Sequence, residues 1–231
     1  MGFYEFKQGE CLYANRLSCE ADIKDWHIEG KAKQSFSDNR LHLENELDPE
    51  IHGDNAHWVL WCPQEFPDRV CITWDFYPLK EPGLCMIFFG AKGRNGEDLF
   101  DAKLPKREGK YPEYHSGAIN ALHLSYFRHK WKEERAFRTC NLRKSHGFHL
   151  VAQGADPLPP AEDAVSPYKM KLIKHEEVVQ FSINDLPILE WEDDGEAFGP
   201  FIQGGKIGLR QMAPMKAAYA NLAVHEVFRK G

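Results

Sequence analysis

The chain has 231 residues, 42% of them apolar and 13% aromatic, and carries a formal net charge of −6. That is enough apolar material for one full core, and the acidic balance argues against a nucleic-acid footprint. No stretch has the length and hydropathy of a membrane span.

Residues 1–24 read as an edge strand and turns. Trp26 to Glu46 reads as two strands, WHIEGKAKQSF and LHLENEL, joined by the turn signal Ser37-Asp38-Asn39. Asp48-Pro49 and Gly53-Asp54 mark a loop. HWVLWC (57–62) and RVCITWDFY (69–77) are rich in β-branched and aromatic residues and read as strands, parted by Pro63 and a Phe66-Pro67-Asp68 turn. Alternation puts Val70, Ile72, Trp74 and Phe76 on one face and Cys71, Thr73, Asp75 and Tyr77 on the other. After Glu81-Pro82-Gly83, LCMIFFGAKG is continuously apolar, as in a strand covered on both faces. Residues 93–110 are polar and loop-like.

The stretch from Tyr111 to Pro159 is the most unusual. It holds five of the eleven histidines, with Arg128, Arg135, Arg138 and Arg143, among strand-like runs of Leu, Phe and Val. Histidine, arginine, asparagine and glutamine seldom suit a core unless paired. The pattern predicts strands near 120–128, 137–142 and 147–153 that present one polar face. Lys130 to Arg135 reads as a hairpin tip or short helix, and Pro157, Pro159, Pro160 and Pro167 mark a long loop. YKMKLIKHEEVVQFSINDLPILEWEDD then reads as three short strands, followed by KIGLRQM after Gly204-Gly205 and by AYANLAVHEV. Short strands and turns at this spacing, with little 3.6-residue periodicity, predict an all-β antiparallel sandwich formed as a single domain over 1–231.

Met1 to Tyr13 lacks the basic start and apolar run of a secretory leader, and Cys11, Cys19, Cys62, Cys71, Cys85 and Cys140 form no CxxC pair. Reduced thiols and a cytoplasmic location are expected.

The C-terminal third, with Tyr168–Leu189, GKIGLR and AYANLAVHEV, resembles the end of a concanavalin A-like jelly roll. WDFYPLKEPGLCMIFFGAKGRNGEDLFD (74–101), YPEYHSGAINALHLSYFR (111–128), FRTCNLRKSHGFHLVAQGADPLP (137–159) and RQMAPMKAAY (210–219) resemble the YesU family over nearly the whole chain. The resemblance implies a bacterial, intracellular concanavalin A-like domain associated with pectin, chiefly rhamnogalacturonan, utilisation. It implies no agreed catalytic residues.

Three chemistries are compatible with these residues. A retaining glycosidase needs two nearby carboxylates, and Asp75, Glu97, Asp98 and Asp101 are the candidates, although no ExDxxE string is present. A uronate lyase must neutralise a carboxylate, abstract the C5 proton and protonate the leaving oxygen. For it the candidates are His115, Tyr126, Arg138 and His149. A lectin-like site would stack sugars on Trp58, Trp61, Tyr114 and Tyr126. Asn120, Arg128, Asn141, Arg143 and Gln153 would hold hydroxyls or a carboxylate in either of the last two cases. Strand alternation puts His149 with Gln153, and Tyr126 with Arg128 and Asn120. Each of these residues also has an ordinary structural use. The expected partner is an oligosaccharide, with neither nucleic acid nor membrane, and a homodimer is open to the chain. No cofactor is called for and no metal-binding string is present, although Glu190, Glu192, Asp193 and Asp194 offer oxygens for a structural calcium ion.

Overall fold

Alternating apolar positions resolve into two stacked antiparallel sheets in the computed structural model, which describes residues 3–230. The strands are Phe6–Asn15 (β1), His27–Gly30 (β2), Ala32–Ser37 (β3), Arg40–Asn45 (β4) and Trp58–Phe66 (β5). Val70–Lys80 (β6), Leu84–Gly93 (β7), Ile119–Tyr126 (β8), Thr139–Ser145 (β9) and His149–Ala155 (β10) follow. Tyr168–His175 (β11), Val178–Ile183 (β12), Leu186–Glu192 (β13), Gly205–Met212 (β14) and Lys216–Arg229 (β15) close the fold.

The first sheet runs β13-β12-β11-β6-β15-β4-β3, with β1 pairing the C-terminal half of β15; the second runs β10-β9-β8-β7-β14-β5-β2. Between them lies the main core. Val70, Ile72, Trp74 and Phe76 of β6 face Cys85, Ile87 and Phe89 of β7 and Leu122, Leu124 and Tyr126 of β8. Trp74, Phe76, Tyr126 and Phe181 pack ring against ring in its centre. Each fully buried side chain of this size contributes roughly 1.5–3 kcal/mol. As the sequence predicts, β7 is covered on both faces, since Phe88 and Ala91 enter a second apolar cluster on the far side.

The stretch WHIEGKAKQSF is divided between the layers. Its first half, β2, pairs with β5 in the second sheet, and its second half, β3, pairs with β4 in the first. The chain changes sheets at Gly30, where φ is +83° and a Cβ would stand 2.4 Å from the His57 carbonyl oxygen. Only glycine meets both conditions without strain. Lys132–Ala136 is the short helix allowed by its composition.

Candidate functional site

The outer face of the second sheet is where polar side chains collect, and a strap lies across it. Residues 94–118 contain no strand and pack Leu99, Leu104, Tyr111 and Tyr114 onto Val59, Trp61, Phe88, Ile119 and Ala121. Two devices pin the strap. Arg107 reaches both oxygens of Glu29, at 2.7 and 3.1 Å, and Trp61 Nε1 donates to the same carboxylate at 2.9 Å. Arg210 Nη1 donates to the Gly109 carbonyl at 2.7 Å. On the β2 side of the strap a cleft of about 620 Å³ opens, lined by His27, Glu29, Phe100, Leu104 and Arg107 among others.

On the other side, strand register sets side chains in two rows. One runs Arg210, Met86, Ser125, Asn141, Gln153 across β14, β7, β8, β9 and β10. The next runs Gly208, Phe88, His123, Arg143, Leu150 across the same strands. Neighbouring strands are about 4.8 Å apart, so side chains in a row are in reach of one another. The floor is closed and the rim open: Ser125, Asn141 and His123 are buried, Arg143 and Tyr111 half-buried, and Gln153 exposed.

Two hydrogen-bonded groups occupy this face. In the first, Arg128 donates to Thr139 Oγ1 at 2.8 Å and pairs with Glu134. The Asn141 amide oxygen accepts from Arg128 Nη1 at 2.6 Å. In the second, Tyr111 Oη meets His123 Nδ1 at 3.1 Å and Ser145 Oγ meets His123 Nε2 at 3.2 Å. The Arg143 guanidinium lies 3.9 Å over the Phe148 ring, which packs against Tyr111 and His115.

The electrostatics are one-sided. Arg210 is fully enclosed, stacked 5.0 Å from the Tyr111 ring and 5.4 Å from Tyr114, with Nε and Nη2 unpartnered. Burial lowers its pKa. Burial pushes the Tyr111 phenol up to about 12, against the pull of Arg210, Arg143 and Arg128. Burial, with Arg143, His115 and Arg210, holds His123 neutral, well below the usual imidazole range. His57, beneath the strap, is lowered to about 4, first by burial and then by Arg210.

Of the residues singled out from the sequence, His115, Arg128, Asn141, Arg143 and Gln153 lie on or beside this face. His115 Nδ1 bonds Ser116 Oγ at 2.7 Å, and burial and nearby cations lower its pKa. The others need correction. Tyr126 and Trp58 point into the core between the sheets and reach no surface. Tyr126 does not share a face with Arg128, because Phe127 has φ +47° and breaks the alternation beyond β8. Trp61 lies sealed beneath the strap and Tyr114 is turned inward from it, so no sugar can stack on either. His149 and Gln153 part company at a bulge between Leu150 and Ala152, which swaps the faces of β10. His149 packs instead on Phe198. Arg138 turns to the following loop and donates to the Leu158 carbonyl. Asn120 lines a separate cleft of about 410 Å³ with Arg94, Lys144, His146 and Phe198.

The candidate carboxylates of a hydrolase are engaged locally. Asp75 accepts from Lys169 and Asn221, Glu97 from Asn95, Asp98 from the Phe100 amide and Asp101 from the Lys103 amide. Of the acidic run, Glu190 accepts from Gln180, Glu192 from Tyr4, Asp193 from Lys144 and Asp194 from backbone amides. Among the described residues no group of three or more His, Cys, Asp or Glu is arranged to hold a metal ion.

Three residues escaped the sequence reading: Arg210, His123 and Tyr111 in its pairing role. One signal was available. An arginine inside the otherwise buried strand KIGLRQM is rare without a partner.

Residues 10–224 match a family described as a domain of unknown function, DUF1961. The chain is 61% identical to YesU of Bacillus subtilis (strain 168) over 225 residues, 97% of this chain and 100% of that protein. A crystal structure of a Bacillus subtilis protein with a galectin-like fold superposes with a TM-score of 0.94 at 61% identity, over 98% of this chain and 100% of that one. The carbohydrate-binding module CBM66 from Bacillus subtilis shares the fold at 10% identity, with a TM-score of 0.53 over 87% of this chain and 95% of that one.

Proposed function

The chain belongs to the DUF1961 family, the family of YesU, and from that premise we propose that the outer face of its second sheet takes pectin-derived, uronate-containing oligosaccharides and cleaves them by β-elimination. One observation carries this. Arg143 and Arg210 stand on a single face with no hydrogen-bonded carboxylate among the described residues, and Arg210 keeps two unpartnered nitrogens. Arg143 is open at the rim to a ligand carboxylate, and Arg210, enclosed beneath Tyr111, adds its positive field from below without touching the ligand.

The same charge suits the reaction. The C5 proton of a uronate becomes removable once its carboxylate is neutralised, because the carbanion then spreads into that group. Gln153, exposed at the end of the adjoining row above the buried Ser125 and Asn141, offers a hydroxyl-binding amide. A rhamnogalacturonan fragment is the substrate to which the YesU family resemblance points. Six free cysteines support a reducing, cytoplasmic setting, where imported oligosaccharides would be met.

The second reading is non-catalytic, lectin-like binding at the same face. It is favoured by Phe148, partly exposed at the rim with the Arg143 guanidinium over its ring, and by a fold neighbour that is by name a carbohydrate-binding module. The two separate in one experiment. The protein is mixed with rhamnogalacturonan and galacturonan oligosaccharides, with heat of binding and ultraviolet absorbance followed together. A C4=C5 double bond conjugated to the carboxylate absorbs, so rising absorbance supports elimination. Binding without absorbance supports the lectin-like alternative, and absence of binding to every acidic oligosaccharide overturns both.

A further inference from the structure

The Tyr111–His123–Ser145 chain runs from the strap down to the sheet floor. His123 is 1% exposed and its ring lies flat on Phe88, 5.2 Å away and tilted by only 2°, so it cannot turn. Its two nitrogens are committed, Nδ1 to Tyr111 Oη and Nε2 to Ser145 Oγ. A neutral imidazole has one donor and one acceptor. With Ser145 accepting from Nε2–H, Nδ1 is left to accept the phenol proton. Tyr111 is half-buried at the rim, with Arg143 and Phe148 beside it and Arg210 beneath its ring.

We infer that Tyr111 is the catalytic base and acid of the proposed elimination, and that His123 is a positioning residue which holds the tyrosine proton during the step and is armed by the substrate itself. The inference rests on the reading of this face as a uronate site. In the step, Tyr111 Oη–H passes its proton to His123 Nδ1 and the phenolate takes the C5 proton. The C5 electron pair forms C4=C5 as the C4–O4 bond breaks. The departing O4 takes the proton from Tyr111, and His123 returns its own. One C–H and one C–O bond are lost, one C=C and one O–H are gained, and no oxidant or reductant is required.

Arming follows from the charges that face the imidazole. Burial opposes its protonation most, and Arg143 on β9, His115 on the strap and Arg210 on β14 add to it. A ligand carboxylate against Arg143, with Arg210 beneath Tyr111, offsets the share that comes from charge. His123 is thus a poor proton acceptor in the free protein and a better one in the complex.

The test uses the full chain with a pectic oligosaccharide that it binds. Tyr111→Phe is expected to lose at least about 100-fold in kcat while keeping its affinity. His123→Asn, which keeps an acceptor near the Nδ1 position, is expected to retain part of the rate and to lose the limb that kcat shows on the acid side. In the wild type that limb is expected at higher pH in kcat than in kcat/KM. An active wild type whose Tyr111→Phe variant keeps full rate overturns the inference and leaves the elimination standing. A wild type that binds but forms no unsaturated product overturns the elimination, and the inference with it. Should Tyr111→Phe not fold, a kcat profile without an acid-side limb overturns the inference by itself.

Discussion

Replacing Arg210 with methionine separates a residue held for a ligand from one held for the fold. The guanidinium has one hydrogen bond, to Gly109 at 2.7 Å, and two aromatic faces at 5.0 and 5.4 Å. A charged hydrogen bond of this kind contributes about 1.5–3 kcal/mol, and each cation–π contact about 1 kcal/mol. Against these stands the cost of enclosing the charge, several kcal/mol, which includes two N–H-bearing nitrogens without partners at about 1–3 kcal/mol each. The opposing side is larger, so Arg210→Met is expected to stabilise the protein by about 1–2 kcal/mol, or raise Tm by roughly 3–6 °C. Ligand affinity should move the other way. A carboxylate on the far side of the Tyr111 ring lies 5.0 Å plus one van der Waals contact of about 3.5 Å from the guanidinium. At an effective dielectric constant of about 20 that attraction is ~2 kcal/mol, roughly thirtyfold in Kd. Urea denaturation and calorimetry with an acidic oligosaccharide measure the two quantities. A variant that loses more than about 1 kcal/mol of stability shows that the hold on Gly109 outweighs the cost of enclosing the charge, and that Arg210 is kept for the fold. One that gains stability with unchanged affinity removes it from the binding site.

Four further outcomes are expected. Tyr126→Phe should change stability by less than about 1 kcal/mol and leave ligand binding intact, because its hydroxyl is buried without a partner; denaturation and calorimetry check this. Glu29→Gln strips the counter-charge from Arg107, buried at 8% exposure, and should cost about 3–5 kcal/mol, with faster proteolysis within 94–118. Gly109→Ala should destabilise by more than about 1 kcal/mol in urea, since φ is +98° and the added Cβ would lie 2.2 Å from the His57 carbonyl oxygen. His57 makes stability pH-dependent. Its folded pKa of about 4 lies below the unfolded 6.5, so its stabilisation is full above pH 6.5 and is lost as pH falls towards 4. The loss approaches about 3 kcal/mol, and a His57→Gln variant should flatten that slope in a pH series of urea melts.

The architecture was largely legible along the chain because strand periodicity is a local property. The faces of β6 follow from alternation in RVCITWDFY, and the double cover of β7 from its unbroken apolar run. The site was legible only in part. Arg143, Asn141 and Gln153 share the outer face of the second sheet, as their residue types suggested. Tyr126, a candidate by residue type, is core, since the choice of inner face is made by the sheet opposite. His149 was lost through a single bulge, and Arg128 reached the face only because Phe127 left the strand conformation.

The sequence by itself determined the two-layer β architecture and the concentration of basic and imidazole groups between Tyr111 and Gln153, because composition and period-two alternation act over a few residues. Only the tertiary structure decided which of those groups meet. Arg210 arrives beneath Tyr111 from a strand almost a hundred residues away, and the strap turns its own Tyr114 inward over Trp61 while leaving Arg143 open. Contacts of that kind depend on register between distant strands and on what covers a face, and neither is written in the local pattern.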